Sequence, residues 1–370
     1  MKKYIIVAVI VVLLGILFYS TKKAPVANAN PIKIGAIISL SGPAAAFGEH
    51  AKNGILLAQD EINKKGGVNG RKVEVIIEDD HTDPKQAVSA YQKLVSIDKV
   101  DGIVGLLWDF VAQPVLPLAE KDKITVISTS NPRIPGTFEP GANSFAMLSD
   151  FGKIIERMTP LLSASTTKKI GIVRFESGFS KNIAENMQAI AKNANKGAVQ
   201  EETYNSIGNN DFKTIVTKLK AANIDTVFLD MVANDPVQFL TRARQLGYTP
   251  KTVIAETAAL EASRAEKTDK TLFEGVHILN WEITSPAFEK LYRDRYGVIP
   301  EKSADKAASA IELLAEAIAK TDSREAVAPY IASHSFETLN GTVKFTEGHA
   351  AETTLVKVQK IVGGTLVDVQ

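Results

Sequence analysis

The chain contains no cysteine among its 370 residues. That absence excludes a disulfide scaffold, a Cys-ligated zinc or iron–sulfur site, a thiol nucleophile and a diacylglyceryl-cysteine anchor. Charge of one sign is also lacking. With 43 Lys+Arg against 42 Asp+Glu and no basic run, nucleic acid is excluded as a partner. No G-x-G-x-x-G follows a strand and no G-x-x-x-x-G-K-[ST] occurs, so the usual phosphate cradles are missing. Neither a G-x-S-x-G elbow nor an H-E-x-x-H pair is present. The five histidines (His50, His81, His277, His334, His349) are scattered singly, as surface or turn residues are. The sequence therefore predicts a binder and not an enzyme, with no metal and no cofactor.

What is present is apolar enough to fold. At 45% hydrophobic and 23% charged residues the chain is globular, and its length suits two domains. Lys2-Lys3 precede a 14-residue apolar run, Ile5 to Phe18, short for a membrane span and suited to a secretory signal. Ala27-Asn28-Ala29 supplies an A-x-A cleavage signature. Residues 1–29 are thus expected to export the chain, either cleaved or retained as an anchor. They carry four lysines and no acid, so their removal leaves 39 basic and 42 acidic residues.

Beyond them the chain alternates strand and helix. Ile32–Leu40 is almost continuously apolar, as a strand buried on both faces is. Ala51, Ile55, Ala58 and Ile62 then mark one face of a helix that Gly66-Gly67 stops. After the strand Val73–Ile77, Asp83-Pro84 reads as an N-cap followed by proline at the first helical position. The acidic run Glu78–Asp83 is thereby a strand end and a cap, not a metal cluster. Gly102–Leu107, a helix from about Phe110 to Glu120, and Thr125–Ser128 complete the unit.

The unit then repeats. Lys169-Ile170-Gly171-Ile172-Val173 echoes Lys33-Ile34-Gly35-Ala36-Ile37, and Asn223–Leu229 echoes Lys99–Gly105. A duplication of this size predicts an α/β fold of two similar doubly wound parallel-sheet lobes, with a ligand crevice at the carboxyl ends of their strands. A long helix from about Ala304 to Lys320, a short strand near Gly341–Phe345 and a hairpin turning at Gly363-Gly364 close the chain.

A series of short motifs follows in order: Ser41-Gly42-Pro43, Phe47-Gly48, Glu61 to Arg71, Asp79 to Pro84, Phe273-Glu274-Gly275-Val276, Tyr292 to Pro300, and Asn340 to Phe345. Taken together, residues 31–370 resemble the leucine/isoleucine/valine-binding, type I periplasmic-binding-protein family, the solute-capture component of ABC importers. The resemblance implies two lobes joined by a three-crossing hinge that close on a small molecule and present it to a membrane permease. Lobe 1 maps to 30–147 plus 280–340, and lobe 2 to 148–279 plus 341–370. A monomer working on the outer face of the cytoplasmic membrane, in the periplasm or its equivalent, is expected.

The resemblance also implies a site. Ser128, Thr129 and Ser130 fall in the turn that offers hydroxyls to an amino-acid ligand in this family. Phe47 and Phe179 stand where tyrosines often meet the ligand, and Glu256 stands near the ammonium-binding acid or caps the next helix. The departure is at Trp108-Asp109-Phe110. Asp109 takes the place of a serine that grips the ligand carboxylate at a helix N-terminus, so its own carboxylate fills the anion site. Trp108 walls the cleft or seals the lobe. An amino acid of branched-chain type or a related small polar compound is the expected ligand. The alternative is a sensing ectodomain acting in trans on a signalling partner, with an amide, amine or aromatic ligand.

Overall fold

The computed structural model describes residues 30–134, 138–208, 210–281, 284–301, 303–352 and 356–369, with the side chains of Ser130, Asn131, Pro132 and Lys153 left aside. Residues 1–29 lie outside this set.

The first lobe runs β1 (Ile32–Ile38), α1 (Ala45–Lys64), β2 (Val73–Asp79), α2 (Pro84–Ser96), β3 (Gly102–Gly105), α3 (Asp109–Ala112), α4 (Leu116–Asp122), β4 (Val126–Pro132) and β5 (Ser144–Leu148). Its five strands are parallel in the order β2-β1-β3-β4-β5. Alternate residues of β1 serve two cores. Ile34, Ala36 and Ile38 join the apolar face of α1, whereas Ile37 packs with Ala87, Tyr91 and Leu94 of α2. Asp83 caps α2 by accepting from the Lys85 and Gln86 amides, as its spacing predicts. The single helix expected over 110–120 is broken into α3 and α4, with Pro114 between them. Proline offers no N–H to the helical ladder and clashes with the preceding turn.

The second lobe continues with α5 (Phe151–Glu156), α6 (Thr159–Ser163), β6 (Ile170–Phe175), α7 (Gly178–Asn193), β7 (Gln200–Tyr204), α8 (Lys213–Ala221), β8 (Thr226–Asp230), α9 (Asp235–Gln245), β9 (Thr252–Glu256), α10 (Thr257–Arg264) and β10 (His277–Asn280). Its parallel strands lie in the order β7-β6-β8-β9-β10, the same permutation as the first sheet. The duplication visible in sequence is thus a duplication of topology.

The chain then returns to the first lobe through α11 (Pro286–Tyr296), α12 (Ala304–Lys320) and α13 (Val327–Ser333). Helix α12 lies across α1, where Gly54 permits the close approach. A Cβ at Gly54 would stand 2.0 Å from the Ala304 carbonyl oxygen. Next come β11 (Ser335–Thr338) and β12 (Gly341–Lys344), an antiparallel pair, and β13 (Lys357–Val362) with β14 (Thr365–Asp368), which extend the second sheet, β13 antiparallel to β10 and β14 antiparallel to β13. Gly363 and Gly364 both have positive φ (57° and 76°), the turn that a two-residue hairpin requires.

One boundary differs from the sequence reading, which assigned 341–370 to lobe 2. β12 pairs with β11, and Val343, Phe345 and Ala351 are buried in the first lobe's core. His349 to Ala351 bond to Ala146, covering the outer edge of β5. An edge strand needs such partners for its backbone groups. Asn340-Gly341 is therefore a hairpin turn inside lobe 1, and β13 is the next strand to join the second sheet.

Candidate functional site

The carboxyl ends of strands from both sheets converge on one cavity of about 70 Å³. From the first lobe it receives Phe47 of α1 and the segment Leu107 to Phe110 after β3. The second lobe contributes Phe175, Ser177, Phe179, Asp230, Met231 and Glu256, and the crossing after β10 adds Trp281. Both tryptophans of the chain line it.

Phe47, Trp108, Asp109, Phe110, Phe179 and Glu256, all singled out in the sequence, meet here. Phe47 stands edge-on to Trp108 with ring centroids 5.8 Å apart, and Trp108 stacks on Phe110 at 6.5 Å. Opposite them, Phe179 contacts Trp281 at 6.2 Å and Phe151 at 4.7 Å. Trp108 both walls the cleft and packs against the first lobe's core and a second core to which both lobes contribute. Glu256 occupies the N-cap position of α10, but its side chain does not cap that helix. Its carboxylate, 5% exposed, belongs to the cavity wall.

Asp109 does not act as the sequence reading supposed. It is the first residue of α3, whose N-cap is Trp108, and it makes its bond elsewhere. Its Oδ2 accepts the backbone N–H of Phe179, 3.2 Å away, in the first turn of α7 in the opposite lobe. The helix terminus that the Asp109 carboxylate meets is thus that of a 16-residue helix in the opposite lobe, whose N-terminal end favours negative charge.

The hydroxyl turn is also placed differently. Ser128 Oγ donates to the Leu106 carbonyl (3.1 Å) and Thr129 Oγ1 to the Gly105 carbonyl (3.4 Å). Both residues are buried under the β3 turn and neither lines the cavity. The Ser130 side chain lies outside the described residues.

Sequence reasoning missed Phe175, Ser177, Asp230 and Trp281. For the first three the internal repeat carried the signal, because the loops after β6 and β8 duplicate those after β1 and β3; Trp281 follows β10 and had no such signal. Behind Asp230, burial pushes the Tyr204 phenol far up, with the Asp235 and Asp230 carboxylates adding to the rise. Tyr204 stays a neutral phenol whose oxygen accepts the Val232 N–H at 3.3 Å. The acidic run at 78–83 is occupied internally. Asp79 accepts from the Leu40, Ser41 and His81 amides, and Asp80 from Ser39 Oγ at 2.7 Å. Among the described residues no three His, Asp or Glu side chains group to hold a metal.

Residues 31–365 match the family model described as Periplasmic binding protein. The chain belongs to the periplasmic binding protein family. Members of this family are solute-binding proteins, which places the chain among binders and not enzymes and sets its work outside the cytoplasm. A Leu/Ile/Val-binding protein homolog of Brucella melitensis is 34% identical over 200 residues, 53% of either chain. The Leu/Ile/Val-binding protein of Escherichia coli is 29% identical over 229 residues, 60% of either. The chain thus spans about half the length of the curated relatives it matches. Among solved structures, LivJ of Streptococcus pneumoniae in complex with isoleucine superposes with a TM-score of 0.78 at 22% identity, covering 91% of this chain and 97% of that one. A Rhodopseudomonas palustris solute binding protein in complex with 3,4-dihydroxy benzoic acid gives 0.77 at 20%, covering 92% and 96%. As a periplasmic binding protein, the chain has two lobes of the family's fold. No helix among its described residues is long and apolar enough to cross a membrane.

Proposed function

We propose that this periplasmic binding protein captures a small, largely apolar solute between its lobes and delivers it to an ABC permease. One observation carries the reading. Side chains of both lobes wall a single cavity, and Asp109 of the first lobe is hydrogen-bonded to Phe179 of the second across it. Such a cavity exists only while the lobes are together, so binding and closure are one event. Curated relatives are named for leucine, isoleucine and valine, and solved neighbours hold isoleucine or an aromatic acid. The solute accordingly belongs with the branched-chain amino acids or with compounds of similar size and apolar character. Residues 1–29 export the chain, and the protein works as a monomer holding one solute.

A thermal-shift panel of amino acids, their amides, amines and aromatic acids tests this. A compound at 100 times its dissociation constant stabilises the fold by about 2.7 kcal/mol, which is readily seen. The hit is expected to bind one per chain and to reduce the radius of gyration in solution scattering. Uptake of the same compound into cells should then require this protein. A confirmed ligand that leaves scattering unchanged sinks the closure mechanism, and uptake indifferent to loss of the protein sinks the delivery role.

A further inference from the structure

We infer that a second cavity, beside the crossing after β10, is a binding site for a small zwitterion of amino-acid or dipeptide size that bridges the two lobes. It stands apart from the proposed capture of a solute in the first cavity, and either can fail alone.

This cavity holds about 270 Å³, against about 70 Å³ for the first, and the two share no lining residue. They divide at α10. Glu256 and Ala258 line the first, whereas Thr257, Leu260, Glu261 and Arg264 line the second. Those four fall at steps of three, four and seven from Thr257, so one face of α10 forms the wall over about 10 Å. Lys357 of β13 belongs to the same lobe. The first lobe supplies Glu289 of α11, Ile299 to Glu301, and Asp305 of α12. An occupant therefore touches both lobes at once.

Charge is divided between those lobes. Among the described residues, the cations Arg264 and Lys357 belong to the second. The carboxylates Glu289, Glu301 and Asp305 belong to the first, with Glu261 the exception. Asp305 is committed to Lys306 and Asn340. Glu289 pairs with Arg293 (2.5 Å) and Glu301 with His50 (3.6 Å), both in their own lobe. Lys357 pairs with Asp368 (2.9 Å) on the neighbouring strand, and Arg264 makes no ion pair among the described residues. An ionised carboxylate has about four acceptor sites and an ammonium three donors, so these pairs leave capacity on both walls. A zwitterion matches the division, its carboxylate towards Arg264 and Lys357 and its ammonium towards Glu289 and Glu301.

A separate observation points to an occupant. Thr257 is 4% exposed, and its hydroxyl has no hydrogen-bond partner among the described residues. Buried hydroxyls are normally bonded, and the space that Thr257 borders is this cavity. A hydroxyl both donates and accepts, so it serves either end of a zwitterion or a peptide group between them.

Calorimetry on the full-length protein tests the site with glycylglycine and 4-aminobutanoate as zwitterions, 4-aminobutanamide as cation and butanoate as anion. At least one zwitterion should bind one per chain by about 10 mM, where a site of about 1 mM dissociation constant is nearly filled. The cation and the anion should bind at least about tenfold more weakly. Arg264→Gln and Glu289→Gln each remove one charge, from opposite lobes and at positions open to solvent. Each should weaken the zwitterion at least about tenfold with the melting temperature unchanged. Asp109→Asn, in the first cavity, should leave its binding unaltered. Binding of neither zwitterion, or binding indifferent to either substitution, overturns the site. So does a loss on Asp109→Asn equal to that on Arg264→Gln, which would put the probe in the first cavity. Butanoate or 4-aminobutanamide binding as tightly as the zwitterions overturns the charge assignment. None of these outcomes bears on solute capture, which the thermal-shift panel tests.

Discussion

Asp109 and Phe179, 70 residues apart in sequence, join the two lobes through one hydrogen bond of 3.2 Å from the Phe179 amide to Asp109 Oδ2. A hydrogen bond to a charged group contributes about 1.5–3 kcal/mol, and the α7 N-terminus favours the negative charge further. Asp109→Ala removes the acceptor and exposes the amide to solvent. The ligand-free variant should therefore shift towards open forms by at least about tenfold, seen as a larger radius of gyration. Asp109→Asn, which retains an acceptor oxygen, should scatter like the parent. Identical profiles for all three proteins would mean that this contact does not hold the lobes.

Both tryptophans of the chain, Trp108 and Trp281, line the cavity from opposite sides. Trp281 is 2% exposed and packs against Phe151 and Phe179. Tryptophan fluorescence, excited apart from the eight tyrosines, is thus a reporter of the cleft. Ligand binding should change its emission, and Trp108→Phe should retain the Trp281 part of that change. A spectrum indifferent to a ligand proven by calorimetry would place that ligand elsewhere.

What the sequence disclosed was what local signals encode. The unbroken apolar run of β1, the Asp83-Pro84 start of α2 and the turn at Gly363-Gly364 each depend on neighbours a few residues away. The repeated unit disclosed the shared order of the two sheets because crossover rules leave few alternatives. Non-local facts were not legible. The partner of Asp109 is fixed by how the lobes meet, and no spacing near Asp109 records it. The turn at Asn340 looked like a boundary because hairpin turns and domain junctions use the same residues. Ser128 and Thr129 looked like ligand hydroxyls, although backbone carbonyls left by the turn after β3 claim them.

At the start of α12, Lys306 Nζ lies 2.6 Å from Asp305 Oδ2, and the pair is buried. Asn340 Nδ2 donates to the same oxygen at 2.6 Å, while its Oδ1 accepts the Ser285 amide at 2.7 Å. This network ties the second crossing and the β11–β12 turn to one helix end. Asp305→Ala strands a buried ammonium and should destabilise the fold by about 3–5 kcal/mol in urea titration. Replacing both partners, Asp305→Ala with Lys306→Met, should recover much of that loss. A double variant no more stable than the single one would show that Asp305 acts through Asn340 alone.

Glu312 on α12 sets a pH dependence whose sign is unusual for a carboxylate. Burial pushes its carboxyl up to about 7 from 4.5, against the opposing pull of the Leu339 amide it accepts and of Lys65. Because the folded value is the higher one, the folded chain holds a proton between pH 4.5 and 7 that the unfolded chain has released. Stability from this group is therefore complete below about pH 4.5 and is lost as pH rises through 7. The full effect is on the order of 3 kcal/mol. Glu312→Gln keeps an oxygen for the Leu339 N–H and carries no charge to desolvate. The variant should exceed the parent in stability at pH 8 by about 1–3 kcal/mol and match it near pH 4.5. Denaturant titrations of both proteins across that range measure the difference. If the two stability profiles run parallel, Glu312 is ionised in the folded protein throughout and its burial is relieved by contacts other than a proton.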